Sequence, residues 1–226
     1  MSQATPVSCS ECGLRNCYRH DKTYPSFCLS EAADPEQVTV VVEHLQGDNV
    51  DRRMALASAE IESLYYCKAT RVEETVLFAK RIGANRIGIA TCMGLIEEAR
   101  IFGNILRAKG LDPYSVVCKV GSVDKTAIGF PEELKLRKGF EAMCNPILQA
   151  RLLNMQKTEL NVIIGLCVGH DSLFIKYSEA PVTTLIVKDR VLAHNPAAAL
   201  YACHSYYKRL LDPEQIPELR VANLGK

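Results

Sequence analysis

The sequence predicts an α/β fold built on a parallel sheet of about four strands. Four short apolar runs have the continuous hydrophobicity of strands that are buried on both faces, and segments with helical periodicity separate them. The first thirty or so residues instead hold four cysteines and almost no apolar periodicity. We therefore expect a small amino-terminal module followed by the α/β domain.

The amino-terminal segment has the cysteine spacing C-x2-C-x4-C-x10-C, formed by Cys9, Cys12, Cys17 and Cys28. A CxxC pair places two thiolates on one turn, and two further cysteines complete a tetrahedral sulfur cage. A segment this short cannot bury enough surface to fold alone, so metal ligation is expected to stabilise it. We predict a metal-binding module over residues 1–34 and an α/β domain over residues 35–226.

Two metal centres suit these four cysteines. Zinc modules often pair two CxxC turns, whereas this segment has one CxxC and an irregular remainder, which favours a four-iron four-sulfur cluster over zinc. The alternative interpretation is a set of redox-labile surface thiols. His20 lies inside the same segment and is expected to be a solvated histidine rather than a ligand.

The elements of the α/β domain follow in order. Helical periodicity from about Asp51 to Gly83 predicts two helices before the first strand, which is expected over Arg86–Thr91. A helix ending at Gly110 comes next, and the remaining strands are predicted over Tyr114–Cys118, Leu160–Cys167 and Val182–Lys188. Further helices are predicted over Pro131–Lys138, Pro146–Met155, Ser172–Tyr177 and Pro196–Leu210. This alternation is typical of a Rossmann-like sheet flanked by helices.

A second group of cysteines falls at the ends of the predicted strands. Cys92 follows the first strand, Cys118 ends the second and Cys167 ends the third, so a parallel sheet brings them to the same carboxyl edge, where open α/β sheets build their sites. Cys144 precedes a helix that begins at Asn145-Pro146, and the positive end of that helix is expected to lower the pKa of the thiol. We predict a catalytic crevice lined by these four cysteines.

Two chemistries fit such a crevice. The four cysteines are either ligands of a second metal or cluster with an iron open to substrate, or thiols that exchange a disulfide or sulfur. The alternative is that each cysteine is a small core residue, as Cys67 and Cys203 are expected to be.

Polar side chains follow the same strand ends. His170 is a candidate acid or base, and Lys119 is a candidate contact for an anion. Lys188, Arg190 and His194 follow the fourth strand near the same edge. A small-molecule substrate or a redox partner protein is the expected target.

Composition excludes other function classes. The formal net charge is +1 and the charges are evenly spread, so neither nucleic acid nor a membrane surface is an expected partner. The start of the chain has no secretory pattern and no apolar run has the length of a membrane span, so we expect a cytoplasmic protein. Ten cysteines in a reducing compartment indicate metal or thiol chemistry. Dinucleotide and phosphate-loop glycine motifs are missing, so no nucleotide cofactor is predicted.

Four strings resemble one family over nearly the whole chain: residues 87–100 (IGIATCMGLIEEAR), 116–125 (VVCKVGSVDK), 141–154 (EAMCNPILQARLLN) and 165–196 (GLCVGHDSLFIKYSEAPVTTLIVKDRVLAHNP). They resemble the family known as domain of unknown function 1847, described as uncharacterised metal-binding proteins. The resemblance implies metal binding, and the family carries cysteines at all eight positions named above. It also implies an anaerobic setting, which favours an iron-sulfur cluster over zinc.

The leading interpretation is an iron-sulfur or zinc protein with redox or sulfur-handling chemistry at the cysteine-lined crevice. One rival is a zinc-stabilised small-molecule-binding or regulatory module without catalysis. Another is an interaction protein whose amino-terminal module docks onto a redox partner enzyme.

Overall fold

The structure is a computed structural model that describes residues 7–19, 21 and 23–212. The chain divides between Ala59 and Glu60 into two compact units. The amino-terminal elements are a 3₁₀ helix over Cys9–Glu11 and the helices α1 (Asn16–Arg19), α2 (Leu29–Ala32), α3 (Pro35–Gln46) and α4 (Val50–Tyr65), the last of which spans the division. Helix α3 begins with Pro35 because the Asp34 side chain accepts a hydrogen bond from the backbone N–H of Glu36. The predicted division at residue 34 stays a prediction.

The second unit is built on four parallel strands: β1 (Arg86–Thr91), β2 (Asp112–Val117), β3 (Leu160–Ile164) and β4 (Val182–Ile186). Their order across the sheet is β2-β1-β3-β4, so β1 and β3 are central. Up to residue 212, where the described part of this unit ends, five helices accompany the strands: α5 (Arg71–Ile82), α6 (Ile96–Ala108), α7 (Pro146–Met155), α8 (His170–Tyr177) and α9 (Ala197–Tyr201). The predicted α/β class and the parallel sheet flanked by helices are confirmed.

Both faces of the sheet are covered. Ile87 and Ile89 of β1 belong to a core cluster that includes Phe102 of α6. Ala90, on the opposite face of β1, belongs to a second cluster that includes Leu153 of α7. Successive side chains of a strand point to opposite faces, so a sheet packed on both sides requires apolar residues at nearly every position. This explains the apolar runs of the central strands β1 and β3, which are buried nearly throughout. The expectation of full burial was wrong for the edge strands, since β2 is largely exposed and β4 is only half-buried.

Several predicted boundaries were wrong. The third strand ends at Ile164 rather than Cys167, because Gly165 has a φ of +65° and leaves the extended conformation. The second and fourth strands end at Val117 and Ile186, so Cys118 directly follows a strand instead of ending one. The region predicted as one helix over Pro131–Lys138 forms only a 3₁₀ turn over Glu132–Leu134.

The last predicted helix is also much shorter. Instead of running from Pro196 to Leu210, the helix ends at Tyr201 and turns follow until a 3₁₀ helix over Lys208–Leu211. Tyr201 and Tyr206 are 84% and 90% exposed. An apolar face that is not buried contributes little to helix stability, and tyrosine, histidine and serine are only moderate helix formers.

Candidate functional site

Two of the predicted cysteines begin side by side at the carboxyl edge of the sheet. Thr91, the last residue of β1, pairs with Val117 of β2 and with Ile164 of β3. The backbone N–H of Cys118 donates to the Thr91 carbonyl at 2.8 Å, and that of Cys92 donates to the Ile164 carbonyl at 3.1 Å. The strand pairing therefore continues into both cysteines and fixes their backbones.

A third cysteine, Cys144, lies at the same edge of the sheet, at the end of a long loop that follows Cys118. The loop is closed by an antiparallel bridge between Asp124 and Ala142, and the Lys119 ammonium donates to the Ala142 carbonyl at 2.6 Å. The backbone N–H of Asn145 then donates to the Cys118 carbonyl at 2.8 Å. These contacts hold Cys144 directly beside Cys118, with the two sulfur atoms 3.9 Å apart.

Cys118 is shared by two neighbouring thiols. Its sulfur lies 3.9 Å from that of Cys144 and accepts the backbone N–H of Met93 at 3.3 Å. Cys92 and Cys144 both pack against the core cluster that contains Cys118. Cys118 is 2% exposed, whereas its two neighbours are partly exposed. We call Cys92, Cys118 and Cys144 the thiol cluster.

Cations flank the two partly exposed members of the thiol cluster. Cys144 makes a hydrogen bond with His170, the first residue of α8, and Lys119 adds a favourable charge. Cys92 accepts hydrogen bonds from the backbone N–H of Gly94 and from the Lys188 side chain. Each partly exposed thiol therefore has its own positively charged environment.

These contacts give the three thiols different pKa values. The pKa of Cys144 falls to about 3, because Cys118 and then His170 hydrogen-bond to its thiolate. The pKa of Cys92 falls to about 5, chiefly through its hydrogen bond with Cys118 and further through Gly94 and Lys188. The pKa of Cys118 rises far above its ordinary value, because hydrogen bonds to Cys144 and Cys92 and burial all favour the neutral thiol. The cluster thus combines two thiols of lowered pKa with one thiol of raised pKa.

His170 shows the reciprocal effect, since its hydrogen bond to the Cys144 thiolate raises the pKa of the imidazole.

Replacing His170 with glutamine should therefore raise the pKa of Cys144. With the pKa of Cys144 near 3, the wild-type thiol should react with iodoacetamide at a nearly constant rate between about pH 5 and pH 8. The variant should react more slowly at the acidic end of that range, and the difference should shrink as the pH rises.

Alkylation of the tryptic peptide 139–151, which contains Cys144 alone among the cysteines, measures this rate by mass spectrometry. His204→Gln, at an exposed position, is the matched control and should leave the profile unchanged. A variant profile identical to that of the wild type would show that His170 does not stabilise the thiolate.

Cys167 lies at the same edge but has different partners. Its sulfur accepts a hydrogen bond from the Arg190 guanidinium at 2.8 Å, and its carbonyl accepts the backbone N–H groups of His170 and Asp171. The structure therefore places Cys92 and Cys144 around Cys118 and pairs the fourth predicted cysteine, Cys167, with an arginine. Exposed Cys67 is not a packing residue, which corrects the sequence interpretation.

Sequence reasoning missed Gln149, which is fully buried in α7. Its side-chain nitrogen donates to the carbonyls of Thr91 at 3.1 Å and Val116 at 2.7 Å. It therefore ties together the ends of the two strands that lead into Cys92 and Cys118. The available signal was helical spacing: Gln149 lies four residues before Leu153, on the same buried face of the helix. A polar residue at a buried position is expected to make hydrogen bonds there.

The four amino-terminal cysteines line a single cavity of about 530 Å³, together with Tyr18 and Phe27. Within residues 7–19, 21 and 23–212, no three or more histidine, cysteine, aspartate or glutamate side chains are grouped so that they could hold one metal ion. His20 lies outside the described residues.

Among the residues that the structure describes, no helix has the length and apolar character needed to cross a membrane.

Two comparisons place this chain among known sequences. The family described as "Protein of unknown function (DUF1847)" matches residues 28–185, a stretch that contains Cys28 and the whole thiol cluster. A protein of Methanocaldococcus jannaschii named "Uncharacterized protein MJ0455" is 45% identical over 207 residues, which cover 91% of this chain and 99% of the relative.

Proposed function

Since the chain belongs to the DUF1847 family of proteins of unknown function, we propose a function from the site itself: a dithiol redox protein that reduces disulfides through Cys144 and Cys118. The observation that carries the proposal is the arrangement of these two thiols. A partly exposed Cys144 bonded to His170 stands 3.9 Å, sulfur to sulfur, from a buried and protonated Cys118.

The first step is attack by the Cys144 thiolate on one sulfur of a substrate disulfide. A bond forms between Cys144 and that sulfur, the substrate S–S bond breaks, and the outgoing thiolate takes a proton from the His170 imidazolium. The product is a mixed disulfide on Cys144 and one free substrate thiol. Partial exposure of Cys144 and the raised pKa of His170 suit these roles.

The second step uses Cys118. Its sulfur attacks the sulfur of Cys144, a Cys118–Cys144 disulfide forms, and the second substrate thiol leaves with the proton that Cys118 carried. Two electrons have moved from the protein to the substrate, and each released thiol has received one proton. Burial of Cys118 protects the second thiol from outside reagents until the mixed disulfide is in place.

The amino-terminal cysteines support a separate part of the proposal. Cys9, Cys12, Cys17 and Cys28 all line one cavity, although their side chains are not grouped there to hold one ion. Four cysteines in one short segment are nevertheless the donor set typical of a four-iron four-sulfur cluster or a zinc ion. A cluster would supply one-electron transfer, and zinc would stabilise the segment. We propose that these four residues hold the metal.

Metal analysis of anaerobically purified protein tests this second part. We expect iron and sulfide, or zinc, bound to the wild type and lost from the double variant Cys9→Ser/Cys12→Ser. Cys67→Ser is the matched control, because Cys67 is an exposed cysteine outside both groups, and it should keep the metal. A wild-type protein without iron or zinc, or a double variant that keeps its metal, would contradict the assignment.

Equilibration with dithiothreitol redox buffers tests the dithiol. We expect a two-electron couple in which tryptic peptide 110–119 becomes linked to another peptide of the thiol cluster, with 139–151 as its partner in the first disulfide to form. Thiols that stay unlinked under oxidising conditions would overturn the proposal.

One observation favours a second candidate, the zinc-stabilised module that binds a small anion without catalysis. Arg190 donates to the Cys167 sulfur at 2.8 Å, and the positive charges of Lys119 and Lys188 lower the pKa of Cys144 and of Cys92. That function predicts thiols without redox activity and a bound zinc, so the same two experiments separate it from the first.

A further inference from the structure

Cys118 has two possible disulfide partners, and the mechanism above uses only one. Its sulfur lies 3.9 Å from that of Cys144 and accepts the backbone N–H of Met93, the residue after Cys92, at 3.3 Å. Cys92 and Cys144 both pack against the core cluster that contains Cys118. The two outer thiols are held by different elements, since Cys92 follows β1 and Cys144 precedes α7. Neither is fully buried.

The surroundings of Cys92 resemble those of a reactive thiol. The Gly94 N–H and the Lys188 side chain both lower the pKa of Cys92, and the adjacent Met93 N–H donates to the Cys118 sulfur at 3.3 Å. The Lys188 ammonium lies close to this turn, since a Cβ built on Gly94 would be 3.8 Å from it, in ordinary van der Waals contact. A thiolate leaving or attacking at Cys92 would therefore be stabilised, as one at Cys144 is.

We propose that Cys92 is a second reactive thiol, to which the disulfide formed at Cys144 is passed through the shared Cys118. This inference rests on the proposed dithiol function and extends it into a relay with two ends. One end, at Cys144 and His170, meets the disulfide substrate. The other end, at Cys92 and Lys188, meets the thiol compound that returns the protein to its reduced state.

The transfer is an internal exchange that needs no further oxidant or reductant. The Cys92 thiolate attacks the sulfur of Cys118, a Cys92–Cys118 bond forms, and the Cys118–Cys144 bond breaks. Cys144 leaves as a thiolate beside His170, so one negative charge moves from one end of the cluster to the other and no electrons are gained or lost. An external thiolate, the reductant, then attacks Cys92 and a second such thiol completes the reduction.

Tryptic mapping tests the relay, because Cys92, Cys118 and Cys144 lie in separate peptides, 87–100, 110–119 and 139–151. Reduced wild-type protein is mixed anaerobically with one equivalent of glutathione disulfide, quenched at intervals with acid, blocked with N-ethylmaleimide and digested. We expect the link between 110–119 and 139–151 to form first and the link between 87–100 and 110–119 to follow as it declines.

Cys92→Ser should stop at the first link, and the control Cys67→Ser should show both. The relay is wrong, and the dithiol function stands, if peptides 110–119 and 139–151 become linked while Cys92 stays a free thiol in every oxidised wild-type molecule. A free Cys92 is recognised by its modification with N-ethylmaleimide. If neither link forms, the dithiol function itself fails.

Discussion

Replacing Cys144 with serine should lower the rate of glutathione disulfide reduction by roughly a thousandfold or more, the scale seen when a nucleophile is removed from other enzymes. Cys144 is the thiol with the most strongly lowered pKa in the cluster, at about 3, and it is partly exposed. A serine hydroxyl at the same place is not ionised and cannot attack a disulfide. The rate is followed as release of glutathione from excess disulfide in the presence of a recycling thiol.

Cys118→Ser gives the complementary result. It keeps the attacking thiol and removes the resolving one, so the reaction should halt with one glutathione attached to peptide 139–151. Cys67→Ser should react as the wild type does. A Cys144→Ser protein that keeps a tenth or more of the wild-type rate would mean that another thiol makes the first attack.

Replacing Gln149 with leucine should lower the free energy of unfolding by about 1–2 kcal/mol, because the Val116 and Thr91 carbonyls each lose a side-chain donor. The Thr91 carbonyl keeps the backbone N–H of Cys118. Thr91 is the last residue of β1 and Val116 is the last but one of β2, so both lie next to the cysteines that follow these strands. We therefore expect a slower second step as well, with the mixed disulfide on Cys144 persisting longer. Urea unfolding measures the first effect and quenched-flow mass spectrometry the second.

Gln149→Met separates hydrogen bonding from shape. Methionine has a similar length and flexibility but no donor, so it should destabilise the protein about as much as leucine does. A methionine variant close to the wild type in stability would show that the cavity shape, and not the pair of hydrogen bonds, makes glutamine necessary.

The sequence was sufficient to predict the sheet and the general position of the site. The first strand matches its predicted bounds, Arg86–Thr91, and the helix Pro146–Met155 does too, since the apolar run and the Asn145 cap with a following proline are local signals. Parallel pairing then brings the segments after β1 and β2 to one edge. The approach of Cys92 and Cys118 was therefore predictable.

The finer arrangement was not predictable, because it depends on backbone turns. Cys167 was expected to join the other three cysteines, but Gly165 turns the chain away from the sheet and the Cys167 carbonyl binds the first N–H groups of α8. Its sulfur meets Arg190 instead. Likewise, the hydrogen bond from Asn145 to the Cys118 carbonyl links residues far apart in sequence, and no local pattern encodes it.

The strand order has a consequence for how the protein is made. β1, α6 and β2 leave the ribosome before Cys144 has been synthesised, and β1 pairs directly with β2. Cys92 and Cys118 are therefore the first two members of the cluster that can meet on a growing chain. An oxidant present during translation would link this pair first. The completed protein would then carry the Cys92–Cys118 disulfide, beside Lys188, before it meets its first substrate.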